Sequence, residues 1–153
     1  MTSLLCNVLN ALQNKSLVTA ESLTGGMIGS GLTAIPGSSK VYKGGIIAYT
    51  NWVKQNILDV DGAVLARYGA VSAPVAKAMA QGARKILQAD VAISVTGLAG
   101  PDGDEYGNPV GTVFIGYCDA DKAFAEEYRF SGSREEVRKQ TVRTALEIVL
   151  RNV

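Results

Sequence analysis

Histidine is absent from the 153 residues, so proton transfer falls to lysine, tyrosine or a carboxylate, and chemistry built on an imidazole base or ligand is excluded. Lys54 is the candidate base. It reads as the third residue of a helix that Asn51 can cap, where the positive end of the helix dipole favours the neutral amine and lowers its pKa. A neutral lysine can take the proton of a serine, as in the serine-lysine versions of the catalytic triad. Tyr49 stands at the end of the preceding strand. Two serines compete as nucleophile. Ser22 lies in a strand-to-helix turn, and Ser39 lies in the glycine turn Pro36-Gly-Ser-Ser39.

Three polar turns offer donors for an oxyanion or a phosphate. In the first, Glu21, Ser22 and Thr24 precede Gly25 and Gly26, which are expected to open a helix whose free N–H groups can hold an anion. The second, Thr96-Gly-Leu-Ala-Gly-Pro-Asp-Gly-Asp104, brings Thr96, Gly97, Ala99 and Gly100, but it lacks the lysine and spacing of a P-loop and the setting of a Rossmann fingerprint. The third, Ser131-Gly-Ser-Arg134, starts the last helix and adds the guanidinium groups of Arg134 and Arg138.

The elements that must position these residues follow from periodicity. Leu5, Val8, Leu9 and Leu12 form the stripe of an amphipathic helix ending near Asn14. Leu17 to Ala20 reads as a strand, Gly25 to Ala34 as a helix, Val41 to Thr50 as a strand with a glycine-marked bulge, and Trp52 to Leu58 as a helix. Asp61 to Tyr68 is a short helix closed by Gly69. Ser72 and Pro74 begin a longer one to about Gln88, with Val75, Met79 and Ile86 on its inner face. The apolar run Val91 to Val95 has the pattern of a strand buried on both faces. Gly111 to Cys118 and Ala123 to Phe130 read as an antiparallel hairpin. Ser133 and Glu136 form a capping box for a last helix lined by Val137, Thr141, Ala145 and Ile148. A helix-covered mixed sheet is expected, with its polar loops at strand ends.

Composition limits the partners. Hydrophobic residues make up 47% of the chain and charged ones 19%, enough apolar content for one domain-sized core. Fifteen basic against fourteen acidic residues leave no footprint for nucleic acid or an anionic membrane. No apolar run approaches the roughly twenty residues of a membrane span, and the start has no basic leader. Cys6 and Cys118 lack metal-site or disulfide spacing, which suits reduced thiols in a cytoplasmic setting.

Taken in order, Thr19-Ala-Glu-Ser-Leu-Thr-Gly-Gly26, Ile35-Pro-Gly-Ser-Ser39, Tyr49-Thr-Asn-Trp-Val-Lys54, Gly69-Ala-Val-Ser72, Thr96-Gly-Leu-Ala-Gly-Pro101 and Pro109-Val-Gly-Thr-Val113 resemble the successive motifs of the CinA C-terminal domain family. Phe130-Ser-Gly and Arg134 continue the series. The resemblance implies a single three-layer α/β/α domain over residues 1–153, without the pyrophosphatase-type module that longer CinA proteins carry before it. It also implies hydrolysis of the carboxamide of nicotinamide mononucleotide to nicotinate mononucleotide and ammonia, with no metal or cofactor, and commonly a homo-oligomer. For the nucleophile it favours Ser39, while the strand-to-helix turn favours Ser22. Arg134 or Arg138 would meet the substrate phosphate, and Glu21, Thr24, Gly25, Gly26 and the Thr96 to Gly100 loop would supply the remaining binding groups. Two residues depart from the family pattern. Leu23 stands where cysteine is usual, which removes thiol chemistry from that turn, and Asn108 stands where many members carry lysine.

Overall fold

A computed structural model describes all 153 residues, Met1 to Val153. In chain order the elements are α1 (Thr2–Ala11), β1 (Leu17–Glu21), α2 (Met27–Thr33), a 3₁₀ turn (Ser38–Lys40), β2 (Tyr42–Ile47), α3 (Asn51–Asn56), α4 (Gly62–Tyr68), α5 (Ala73–Ile86), β3 (Val91–Gly97), β4 (Thr112–Cys118), β5 (Ala123–Arg129) and α6 (Arg134–Asn152). The five strands form one sheet in the order β2-β1-β3-β4-β5. Strand β1 runs parallel to β2 and β3, while β4 runs antiparallel to β3 and β5. The sheet is therefore mixed, and β4–β5 is the expected hairpin.

Alternation along the strands feeds two apolar layers. Leu17, Val91, Ile93 and Val95 share one buried cluster with Leu5, Val8 and Leu9 of α1, Ile28 and Leu32 of α2, and Val142, Leu146 and Val149 of α6. Val18, Ala20 and Ala92 face the opposite layer, packed with Leu65 of α4 and Val75, Met79, Ala80 and Ala83 of α5. All five residues of β1 are buried, as a central strand covered on both faces requires.

Four local expectations are corrected. Helix α2 begins at Met27 rather than Gly25, because Gly25 and Gly26 hold left-handed conformations (φ 56° and 106°) that belong to the turn before it. The cap of α3 is Thr50, whose side chain accepts from the Val53 N–H at 3.4 Å, and Asn51 is the first helical residue. Ile86, expected to face inward, ends α5 at 43% exposure, and the adjacent Leu87 packs against that layer instead. Strand β2 is also shorter than its apolar run. It ends at Ile47, although the Ala48 N–H still donates to the Glu21 carbonyl at 2.8 Å, and the chain then turns through Tyr49 and Thr50 into α3.

Candidate active site

Because β1 lies between β2 and β3, the crossover from β1 to β2 and the return from β2 to β3 diverge to opposite faces of the sheet. Such a divergence opens a crevice at the carboxyl ends of the strands. Here it is a cleft of about 420 Å³ lined by Ser22, Leu23, Tyr49, Asn51, Lys54, Ala70, Val71, Thr96, Gly97, Leu98, Ala99, Gly100, Pro101, Asp102 and Arg134.

Lys54 is 1% exposed, and its Nζ donates to Ser22 Oγ at 3.0 Å, to the Ala48 carbonyl at 2.8 Å and to the Tyr49 carbonyl at 3.3 Å. No carboxylate pairs with it. Burial without a counter-charge disfavours the ammonium and lowers its pKa to about 8. The helix dipole, named as the cause from sequence position, is not what lowers it. Lys54 sits in the last turn of a helix only six residues long, and desolvation carries the shift. As an ammonium the side chain has three protons for three acceptors. When one leaves, the lone pair can accept from Ser22.

Ser22 is held as firmly as its partner. Its N–H donates to the Val95 carbonyl at 3.0 Å, tying the residue after β1 to β3, and its carbonyl accepts from the Gly25 N–H at 3.1 Å. Thr96 forms the cleft floor, its hydroxyl donating to the Ala70 carbonyl at 2.9 Å. Tyr49 and Arg134 stand at the mouth. The Arg134 guanidinium donates to the Gly100 carbonyl and reaches the Tyr49 hydroxyl at 3.4 Å. The N–H groups of Leu23, Ala99 and Gly100 have no acceptor within the protein.

The fold thus brings together Ser22, Tyr49, Lys54, Thr96, Gly97, Ala99, Gly100 and Arg134. It does not bring Ser39. That residue lies exposed on the 3₁₀ turn before β2, whereas Lys54 follows β2, and six strand residues at about 3.3 Å each separate the two ends by roughly 20 Å. Glu21 is buried beside the site rather than in it. Its carboxylate accepts from Thr24 Oγ1 at 2.6 Å and from the N–H groups of Ile28 and Gly29 at 2.9 and 3.1 Å, so it caps α2. Thr24, Gly25 and Gly26 belong to that same turn and do not line the cleft. Arg138 is also outside it, bonded to the carbonyls of Leu23 and Thr24. Among lining residues that sequence reasoning did not assign, Ala70 and Val71 had a signal in the Gly69 to Ser72 motif. Asp102 had only its place in a polar loop.

A three-layer α/β/α domain with a buried amine-hydroxyl pair at the strand ends is thereby defined. The chain belongs to the CinA C-terminal domain family, whose model matches residues 2–153. A CinA-like protein of Endomicrobium trichonymphae is 44% identical over 143 residues, covering 93% of this chain and 33% of that protein. This chain therefore spans about a third of the length of such curated relatives. Among solved structures, the competence damage-inducible protein A of Klebsiella pneumoniae superposes with a TM-score of 0.96 at 33% identity, covering 99% of this chain and 95% of that one. A competence-damaged protein (CinA) superfamily protein of Escherichia coli does so with a TM-score of 0.93 at 40% identity, covering 99% and 88%.

Proposed function

We propose that the cleft hydrolyses the carboxamide of nicotinamide mononucleotide, with Ser22 as nucleophile and Lys54 as base. The observation that carries this reading is the 3.0 Å contact between Lys54 Nζ and Ser22 Oγ, made by a buried amine that has no carboxylate partner. In its neutral form Lys54 takes the Ser22 proton as Oγ attacks the carboxamide carbon. The tetrahedral oxyanion is met by N–H groups of the cleft wall, with those of Leu23, Ala99 and Gly100 free to serve. The Lys54 ammonium then returns its proton to the departing nitrogen, ammonia leaves, and a nicotinoyl ester remains on Ser22. Water, deprotonated by Lys54, cleaves that ester to nicotinate mononucleotide and free Ser22.

Arg134 at the mouth is suited to the phosphate and Tyr49 to the pyridine ring or the lysine. A second copy of the chain is the expected protein partner, supported by the exposed Ile47 and Trp52 near this end of the sheet.

Purified protein incubated with nicotinamide mononucleotide should release ammonia and nicotinate mononucleotide in equal amounts. Tight nucleotide binding with no ammonia release would replace the amidase with a nucleotide-sensing role for the same cleft.

A further inference from the structure

Arg138 crosses from α6 to the turn that carries the nucleophile. Its Nε donates to the Leu23 carbonyl at 2.9 Å and one of its terminal nitrogens to the Thr24 carbonyl at 3.3 Å. The same nitrogen would lie 3.8 Å from a side chain at Gly25, so the guanidinium sits directly against the turn. On its other side the Glu21 carboxylate accepts from Thr24 Oγ1 in the turn and from the Ile28 and Gly29 N–H groups of α2. A carboxylate thus ties Thr24 to the start of α2, and a guanidinium holds the carbonyls of the turn. Between them the chain passes through two left-handed residues, Gly25 and Gly26.

We infer that Arg138 is a positioning residue for Ser22. The Leu23 and Thr24 carbonyls belong to the peptide units just beyond the nucleophile, and planarity makes each carbonyl fix the direction of the N–H that shares its plane. One of these is the Gly25 N–H, which bonds the Ser22 carbonyl at 3.1 Å. Without the guanidinium the Leu23 carbonyl loses its partner and the Thr24 carbonyl keeps only the Met27 N–H, at 3.0 Å, so the glycine-rich backbone gains freedom to rotate and to carry Ser22 Oγ off the 3.0 Å contact with Lys54. Arg134 and Arg138 lie one helical turn apart at the start of α6. The first reaches the cleft mouth, the second the back of the nucleophile turn, and they divide substrate contact from alignment. Phosphate recognition, expected of either arginine, therefore falls to Arg134.

This inference rests on Ser22 as nucleophile but not on the identity of the amide. It is tested by labelling with phenylmethanesulfonyl fluoride, in which Ser22 Oγ displaces fluoride at sulfur and its proton passes to Lys54. Labelling of the Ser22 peptide is followed by mass in the unmodified protein, Arg138→Ala and Arg138→Lys, with thermal melting as the fold control. Expected is a tenfold to hundredfold slower labelling of Arg138→Ala, on the order of the loss a small misalignment causes, an intermediate rate for Arg138→Lys, and partial rescue of the alanine variant by millimolar methylguanidinium. With nicotinamide mononucleotide, kcat should fall while KM stays within about twofold.

A folded Arg138→Ala protein that labels at the unmodified rate overturns the inference. If that variant does not fold, Arg138→Lys decides in the same way. Unmodified protein that labels at Ser22 but releases no ammonia from the nucleotide removes the proposed substrate and leaves the positioning role intact. Failure of the unmodified protein to label removes both.

Discussion

A primary amine 1% exposed, with only a hydroxyl and two carbonyls for company, gives up its proton far more readily than an ordinary lysine, at about pH 8. Rate should follow that deprotonation. The kcat/KM for nicotinamide mononucleotide is expected to rise with pH and level off above about 8, the value to which burial lowers Lys54. A profile flat from pH 6 to 9 would remove it as base. Lys54→Ala and Ser22→Ala should each lose on the order of a thousandfold or more in kcat, and the double variant little beyond either, because the pair acts as a unit. Ser39→Ala, altered at the far end of β2, should keep its rate. Arg134→Ala should weaken substrate binding by about 1.5–3 kcal/mol with less change in turnover, and equal affinity for nucleotide and riboside would move the phosphate elsewhere. Residue type and spacing made the amine and both serines visible as candidates. Choosing between the serines needed the path of β2, because Ser39 is nearer Lys54 along the chain yet is carried to the opposite end of the sheet.

The elements were legible wherever a single period governed them. The buried run of β3, the hairpin β4–β5 and the capping box of α6 all stand where the pattern put them. Errors gathered at element ends, where one residue decides between turn and helix. Gly25 and Gly26 have the composition of a helix opening but take left-handed turn conformations, and Thr50 rather than Asn51 caps α3. Tertiary approach was the other illegible feature. Gly82 in α5 faces the Leu58 carbonyl so closely that a Cβ would collide with it. Gly82→Ala should therefore destabilise the fold by about 1–3 kcal/mol, the usual cost of overpacking, despite alanine's higher helix propensity. Chemical denaturation would check this, and an unchanged midpoint would show that α5 can shift aside.

Over the whole molecule, the same lysine ties stability to pH. Its folded pKa, about 8, lies below its ordinary value of 10.5, so between these limits the unfolded chain binds more protons and stability rises with pH. The contribution amounts to roughly 2–4 kcal/mol across that window. Denaturation midpoints of the unmodified protein should gain on those of Lys54→Met from pH 8 to 10.5, and parallel curves would contradict the lowered pKa. No three His, Cys, Asp or Glu side chains are gathered where they could hold a metal ion. Dialysis against a chelator should accordingly leave ammonia release unchanged, and restoration of a lost rate by a divalent ion would refute the serine-lysine scheme. No helix is long and apolar enough to cross a membrane.

The packing of α1 against α6 joins the first and last helices in one layer over the sheet. On the ribosome, where residues emerge from the amino end, the apolar stripe of α1 (Thr2–Ala11) appears long before the helix that covers it, α6 (Arg134–Asn152). Ser22 and Lys54 also emerge well before Arg134 and Arg138. A chain without α6 would lack both of its guanidinium contacts here, that of Arg138 on the turn after Ser22 and that of Arg134 at the cleft mouth. On the function proposed above, a chain that stops before α6 should therefore fail to turn over the nucleotide.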